Sequence, residues 1–421
     1  MADYNPGITT IRVLGTKNTW TVKMATALSY GVELEMLIAL NQDPFKRKEE
    51  QGNRTQYIQP REGMQTGELL RRHIINTLET GGIACYPFGI DGGFNKWSIV
   101  SDSSVTAMKH EHNFIWNSIE VISPAYYIFD DTLNDIRKTC RLLAENYMIH
   151  INETAGMHVH VGLGHQRFQL GHLRRLLAFF WGFEEQLNTL HPEHRSAENC
   201  GWARSLREQS IYANRSTTAV QKAVLPGIEE GIRYFLGQRF GSTRDIAKEA
   251  GGFDGNGKTM AYNFSSIALE EPLKHTIEFR QAAGTIDEDE IVTWIRTCVG
   301  IVDFCRCVDG SEAFDRVISL AREKDSPDKV NVIQLLRRMG LGDQADFYKE
   351  RGLYFNLQKQ SLPSFDDDGF VHLNDDREPS PAEGDFQLPP NAFNLSSLTS
   401  KVSSSHTERT PTSEEFEEIS L

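Results

Sequence analysis

Long apolar runs are missing from these 421 residues: no stretch approaches the ~18 consecutive apolar side chains that a membrane span requires. The N-terminus lacks the apolar core of a secretory signal. Positive charge is in deficit, with 44 Lys+Arg against 58 Asp+Glu and a net charge of −14. That balance argues against a dedicated nucleic-acid binder, which presents a basic field. Cysteine is scarce and unpatterned. Its six positions, 85, 140, 200, 298, 305 and 307, include no Cys-x-x-Cys pair. This excludes a disulfide framework or zinc ribbon and leaves free thiols in a reducing, cytoplasmic setting.

What is present is an ordinary globular composition, 39% hydrophobic, 10% aromatic and 24% charged, enough for one large domain or two medium ones. The acid excess is uneven. Residues 361–421 hold 13 acids and 3 bases among Ser and Pro, with few clustered apolar residues. Such a segment buries too little surface to offset its ordering entropy, so 361–421 is expected to be a disordered acidic tail. Residues 1–27 read as a lead-in. Within it, 8–24 is Thr-rich and basic, with an organellar address as the lesser reading.

Apolar spacing predicts helices over 66–80 behind a Thr cap, 131–147, 168–190, and 286–308 behind a Thr285/Glu288 capping box, with a shorter helix near 328–340. Alternation predicts strands at 31–38, 97–105, 113–122, 156–163, 259–267 and 275–281. Strands and helices mix without strict βαβ order. The expected class is therefore α+β, a mostly antiparallel sheet with helices packed on one face. One large folded domain is expected at 28–355, with a helical, loop-rich insertion at about 191–258.

Alternation also sorts the strands into faces. Glu33 and Glu35 share a face against Val32, Leu34 and Met36, and His158 and His160 share one against Val159 and Val161. Glu278 and Arg280 oppose Ile277 and Phe279, and Glu120 opposes Ile119 and Val121. Each pair alone reads first as a solvated face, a structural histidine pair or a cross-strand ion pair. On neighbouring strands, carboxylates repel unless a positive group sits among them. Carboxylates with imidazoles suit hard divalent ions, Mg²⁺ or Mn²⁺ rather than Zn²⁺, because no thiolate is offered. Arg280 suits a planar clamp on phosphate or carboxylate oxygens.

The segments GVELE, the run Trp97, Ile99, Asp102, Ser104, then Glu120, Ser123, Pro124, then GMHVHVG and TIEFRQ, in that order, resemble the putative amidoligase family over roughly residues 28–310. That family comprises carboxylate–amine ligases with a glutamine-synthetase-like fold. The resemblance implies that Glu33, Glu35, Glu120, His158 and Glu278 hold two or three Mg²⁺ ions beside ATP. It implies that His160 and Arg280 contact the transferring phosphate, that Asp102 lies near the acceptor amine, and that Asn263 is a further site candidate. The implied activity is ATP-dependent amide or peptide bond formation between small-molecule or peptide carboxylates and amines, through an acyl phosphate. The 191–258 segment matches no amino-acid-binding loop of glutamine synthetase, so glutamate and ammonia are not implied.

Other readings remain open here. Residues 252–259 (GFDGNGKT) fit the P-loop pattern, but the polar stretch before them and the alternating stretch after them fail its context. They read as a Gly-rich loop from which Lys258 reaches a phosphate. His158-x-His160 also opens the metal site of barrel hydrolases, and a ligase-like fold can persist as a non-catalytic binding module. His110-Glu111-His112 reads as a solvated turn before a metal cluster. Arg195, Arg204 and Arg207 read as helix-surface charge before a phosphate site.

Overall fold

The computed structural model describes residues 9–12, 19–22, 28–41, 65–90, 93–106, 114–195, 201–215, 225–270, 274–307, 312–322 and 330–352. The chain divides into units Met1–Asp375 and Asp376–Leu421, and all of these residues lie in the first. The acidic tail, the His110-Glu111-His112 run and most of the lead-in lie outside the described residues.

The strands are β1 (Thr9–Arg12), β2 (Thr19–Val22), β3 (Ser29–Asn41), β4 (Ser98–Val100), β5 (Phe114–Ile122), β6 (Tyr126–Tyr127), β7 (Ile149–His150), β8 (Gly156–Gly162), β9 (Tyr262–Asn263) and β10 (Thr276–Ala283). The helices are α1 (Thr66–Thr80), α2 (Asp130–Asn146), α3 (Leu170–Asn188), α4 (Leu206–Gln209), α5 (Ile211–Asn214) and α6 (Ile228–Leu236). They continue as α7 (Thr243–Glu249), α8 (Ser265–Ala268), α9 (Glu288–Cys307), α10 (Glu312–Arg322), α11 (Val332–Arg338) and α12 (Gly342–Arg351). The main sheet runs β4-β5-β3-β8-β10-β9, with β6 and β7 pairing further along β3, and its named pairings are antiparallel. The α+β class with a mostly antiparallel sheet is thus observed. None of the described helices is long and apolar enough to cross a membrane.

The 13-residue β3 is the spine, and alternation divides it cleanly. Tyr30, Val32, Leu34, Met36, Ile38 and Leu40 are all buried on one side, in a core that also takes Leu70, Ile74 and Leu78 of α1. Leu133, Ile136 and Leu143 of α2 join that core, as do the apolar stripes of α3 and α9. Each such Leu or Ile contributes about 1.5–3 kcal/mol on burial. The opposite face carries Glu33 and Glu35 and then closes on a small apolar plug, Leu37 with Val105 and Ala155.

Helix α3 is apolar nearly all round because it is covered twice, by the sheet and by the 201–249 helices. Its buried Glu184 fastens that insertion. One carboxylate accepts from Ser205 Oγ at 2.7 Å, Leu206 N at 2.6 Å and Arg207 N at 3.0 Å, so it holds the start of α4. Burial raises the Glu184 pKa, and these donors oppose the rise.

Several boundaries differ from expectation for local reasons. The 97–105 strand stops at Val100 because Asp102 Oδ1 accepts from Ser104 N at 2.7 Å and turns the chain. The 259–267 strand is reduced to Tyr262–Asn263, since Asn263 Oδ1 accepts from Ser265 N at 2.8 Å and starts α8. Thr66 is inside α1, with Gln65 at the cap position. Helix α9 is capped by Asp287, whose Oδ1 accepts from Asp289 N and Glu290 N, rather than by Thr285. Helices α10 and α12 were not expected.

His191, after α3, is buried with its ring edge against Trp294 at 4.6 Å, and no described residue bonds its Nε2. Burial, reinforced by the Arg195 charge, lowers its pKa from 6.5 to about 3. The unfolded chain therefore binds the proton first as pH falls below 6.5, and stability is lost in that direction. His191 should cost about 2 kcal/mol by pH 5 relative to pH 8. Urea unfolding of His191→Phe across that range should show a shallower pH slope than the native chain; equal slopes would refute the assignment.

Candidate functional site

Strand pairing carries the polar face across five strands. Glu120 on β5 stands opposite Glu35 on β3, and Glu33 stands opposite His158 on β8. His160 stands opposite Glu278 on β10, which in turn stands opposite Asn263 on β9. The result is a diagonal row of acids and imidazoles on the face away from the helices.

His158 sits at its centre. Its Nδ1 lies 3.3 Å from Glu33 Oε2 and 3.7 Å from Glu278 Oε1, and its Nε2 lies 3.5 Å from Glu35 Oε1. Two groups of donor atoms come within 4.8 Å of one another, Glu33–His158–Glu278 and Glu35–Glu120–His158. His160 Nε2 is 2.9 Å from Glu33 Oε1, and Nδ1 is 3.1 Å from Thr276 Oγ1. Arg280 Nη1 donates to Glu278 Oε1 and approaches His158 Nδ1 at 3.5 Å, while its Nε donates to the Trp202 carbonyl at 3.1 Å. Asn263 Nδ2 donates to Glu278 Oε2 at 2.6 Å. Gly156 N donates to Glu35 Oε2 at 2.7 Å. A side chain at Gly156 would place its Cβ 2.5 Å from Arg195 Nη2 and 3.1 Å from His158 Nε2, so glycine is required by close approach there.

The acids differ in how well they are compensated. Burial opposes ionisation of Glu33, but the His160 charge, hydrogen bonds from His158 and His160, and Lys274 hold it well below the usual carboxylate range. Glu278 is also lowered; burial is outweighed chiefly by His160 and Arg280. Glu35 is raised by burial and by Asp102, against His158 and the Gly156 amide. Glu120 is the outlier. No described residue donates to it or pairs with it, and burial plus Glu33, Glu35, Asp102 and Glu278 push it up to about 9. A mostly buried carboxylate surrounded by carboxylates is chemically suited to a cation.

Eight of the residues singled out from sequence thus come together: Glu33, Glu35, Glu120, His158, His160, Asn263, Glu278 and Arg280. Asp102 lies at the Glu35 end, close enough to raise both Glu35 and Glu120. Lys258 lines the outer wall of a cavity of about 670 Å³ with Lys274, Arg280, Asn263, Ser265 and Ser266. Its segment is a turn followed by a 3-10 turn at Gly257–Thr259 and then a strand, not a P-loop. A second cavity, about 630 Å³, is walled by Tyr30, Tyr86, Phe94 and Tyr127, and both cavities open onto Glu33, His160 and Lys274.

Lys274 went unnoticed in the sequence. Its Nζ is 3.3 Å from His160 Nε2 and 3.7 Å from Glu33 Oε1. The signal was available, because 274, 276, 278 and 280 share one parity. Arg204 and Arg207 pair with Asp254 and Glu185. Arg195 is neither surface charge nor an open phosphate site: it is 2% exposed. The His-x-His pair lies mid-sheet on β8, not at the end of a barrel's first strand.

Residues 26–302 match the family described as putative amidoligase enzyme. That span is about two-thirds of the chain, and the chain belongs to this family of ligase-type enzymes. Among curated proteins none matches it.

The position of Glu120 has a measurable consequence. Its folded-state pKa is raised from 4.5 to about 9, so the folded chain keeps a proton that the unfolded chain has released, and stability is lost as pH rises between those values. At pH 7 the cost is about 3 kcal/mol. In EDTA, Glu120→Gln should be more stable than the native chain at pH 8, with the gap closing toward pH 5, and saturating Mn²⁺ should reverse the order. An unchanged stability difference across pH would contradict this reading.

Proposed function

From the chain's place among the amidoligases, we propose that it is an ATP- and Mg²⁺-dependent carboxylate–amine ligase acting through an acyl phosphate. The observation that carries the proposal is the convergence of Glu33, Glu35, Glu120, Glu278 and His158 beside His160, Lys274 and Arg280.

The donor set fits magnesium or manganese: oxygen ligands with one imidazole and no thiolate. Glu33, Glu278 and His158 Nδ1 would hold one ion, and Glu35 with Glu120 would hold another. The His158 tautomer that serves this carries its proton on Nε2, facing Glu35 at 3.5 Å, and leaves the Nδ1 lone pair free. Bound there, such ions would neutralise charge on the phosphates during transfer.

The chain's own groups supply position and field. His160, Lys274, Arg280, Asn263 and Lys258 line the cavity that would take the phosphates, and Arg280, whose Nε and Nη1 are held by the Trp202 carbonyl and Glu278, would turn its Nη2 to their oxygens. A substrate carboxylate oxygen attacks the γ-phosphorus and ADP leaves. The resulting acyl phosphate carries a good leaving group where hydroxide was a poor one. An amine attacks the acyl carbon, phosphate departs, and the amine proton passes to a carboxylate, a part the family resemblance assigns to Asp102. No protein nucleophile is needed. The substrates are small-molecule or peptide carboxylates and amines.

ADP and phosphate release with Mg²⁺, screened across amino-acid and peptide pairs, tests this. A phosphate burst that depends on one carboxylate alone identifies the donor. Changing Glu33 and Glu278 together to Ala should lower turnover by about two to three orders of magnitude with the fold retained by circular dichroism. Undiminished turnover in that variant would defeat the proposal.

A further inference from the structure

The pairing of β10 with β8 breaks at one place. Phe279 stands opposite Val159 and Ala282 opposite Met157. Two residues, Arg280 and Gln281, therefore face the single residue His158. This is a β-bulge, and it falls at the imidazole in the middle of the site. At the bulge Arg280 stays on the acidic face and Gln281 lies at the back, where Gln281 Nε2 donates to Asn188 Oδ1 at 2.9 Å and Tyr262 OH at 3.0 Å.

A bulge disrupts the ladder, and a buried carbonyl in it needs a donor from elsewhere. Arg280 N is satisfied by the Ala261 carbonyl at 3.0 Å. The Arg280 carbonyl accepts instead from Arg195 Nη2 at 2.7 Å. Arg195 arrives from Glu193–Arg195, the 3-10 turn beyond α3, and is 2% exposed. The same Nη2 lies over Gly156, whose amide holds Glu35 and whose missing side chain leaves room for it. One buried guanidinium thus touches the backbone on both strands that carry His158 and Arg280.

We propose that Arg195 is a positioning residue: it replaces the missing ladder donor at the bulge and so fixes the aim of Arg280 and the spacing of His158. The backbone role stands by itself; its consequence for the reaction rests on the ligase reading above. Arg195 lines neither of the cavities that meet at Glu33, His160 and Lys274.

The test compares Arg195→Met, Arg195→Lys, Arg280→Met and the double variant Arg195→Met/Arg280→Met, all in the full chain. Hydrogen exchange is read first. Arg195→Met should raise exchange in 156–158 and 280–284 by about tenfold while α1 and α2 stay protected, and Lys should restore part of it. Unchanged exchange, or a uniform rise along the chain, would overturn the proposal. If the Met variant does not fold, the Lys variant decides, with a local rise expected and none overturning it. Mg·ATP binding is read second. Arg195→Met should weaken it, but should add nothing once Arg280 is Met, since one acts through the other. Additive losses would overturn the link to Arg280. A native chain that binds no Mg·ATP would instead defeat the ligase reading and leave the exchange result to decide Arg195.

Discussion

Strand pairing draws Glu33, Glu35, Glu120 and Glu278 toward one largely enclosed face, the turn after β4 adds Asp102 beside them, and their mutual repulsion grows as water is excluded. Positive charge has to be interleaved for the sheet to close. The chain supplies part of it. Glu33 and Glu278 have His158, His160, Lys274 and Arg280 close by, and are held ionised. Among the described residues, the Glu35–Glu120 end has one edge of His158 and the Gly156 amide. The imbalance between the two ends is what the proposed divalent ions would relieve.

The fold delivers these groups with few moving parts. They sit on strands whose opposite faces are locked into the core by Tyr30, Val32, Leu34, Val159, Val161, Ile277 and Phe279. Displacing one of them toward solvent would expose its apolar neighbours on the back. Rigid strands suit a reaction whose catalysis is mainly positioning and electrostatics. Two cavities, one walled by aromatic rings and one by cations, meet at Glu33, His160 and Lys274, so two ligands of different chemistry can reach one point.

Much of this was legible because a strand has a period of two. Reading i and i+2 on GVELE, GMHVH and TIEFRQ places the acids and imidazoles on one face and the branched residues on the other. The same rule carried two steps back along β10 reaches Thr276 and Lys274. Order along the chain did not reveal which strands were neighbours; the pairing of β3 with both β5 and β8 brings residues over a hundred positions apart into contact. The short strands were overestimated because Asp102 and Asn263 turn the chain through their own side chains. Arg195 was misread because its role depends on a bulge 85 residues away, which no local pattern announces.

The most direct measurement is anomalous diffraction from crystals of the full chain grown with Mn²⁺ at the manganese edge. The expected result is two peaks flanking His158, one against Glu33 and Glu278 and the other against Glu35 and Glu120. A native chain with no manganese on that face, or with manganese only at surface carboxylates elsewhere, would contradict the metal-centred reading of the site.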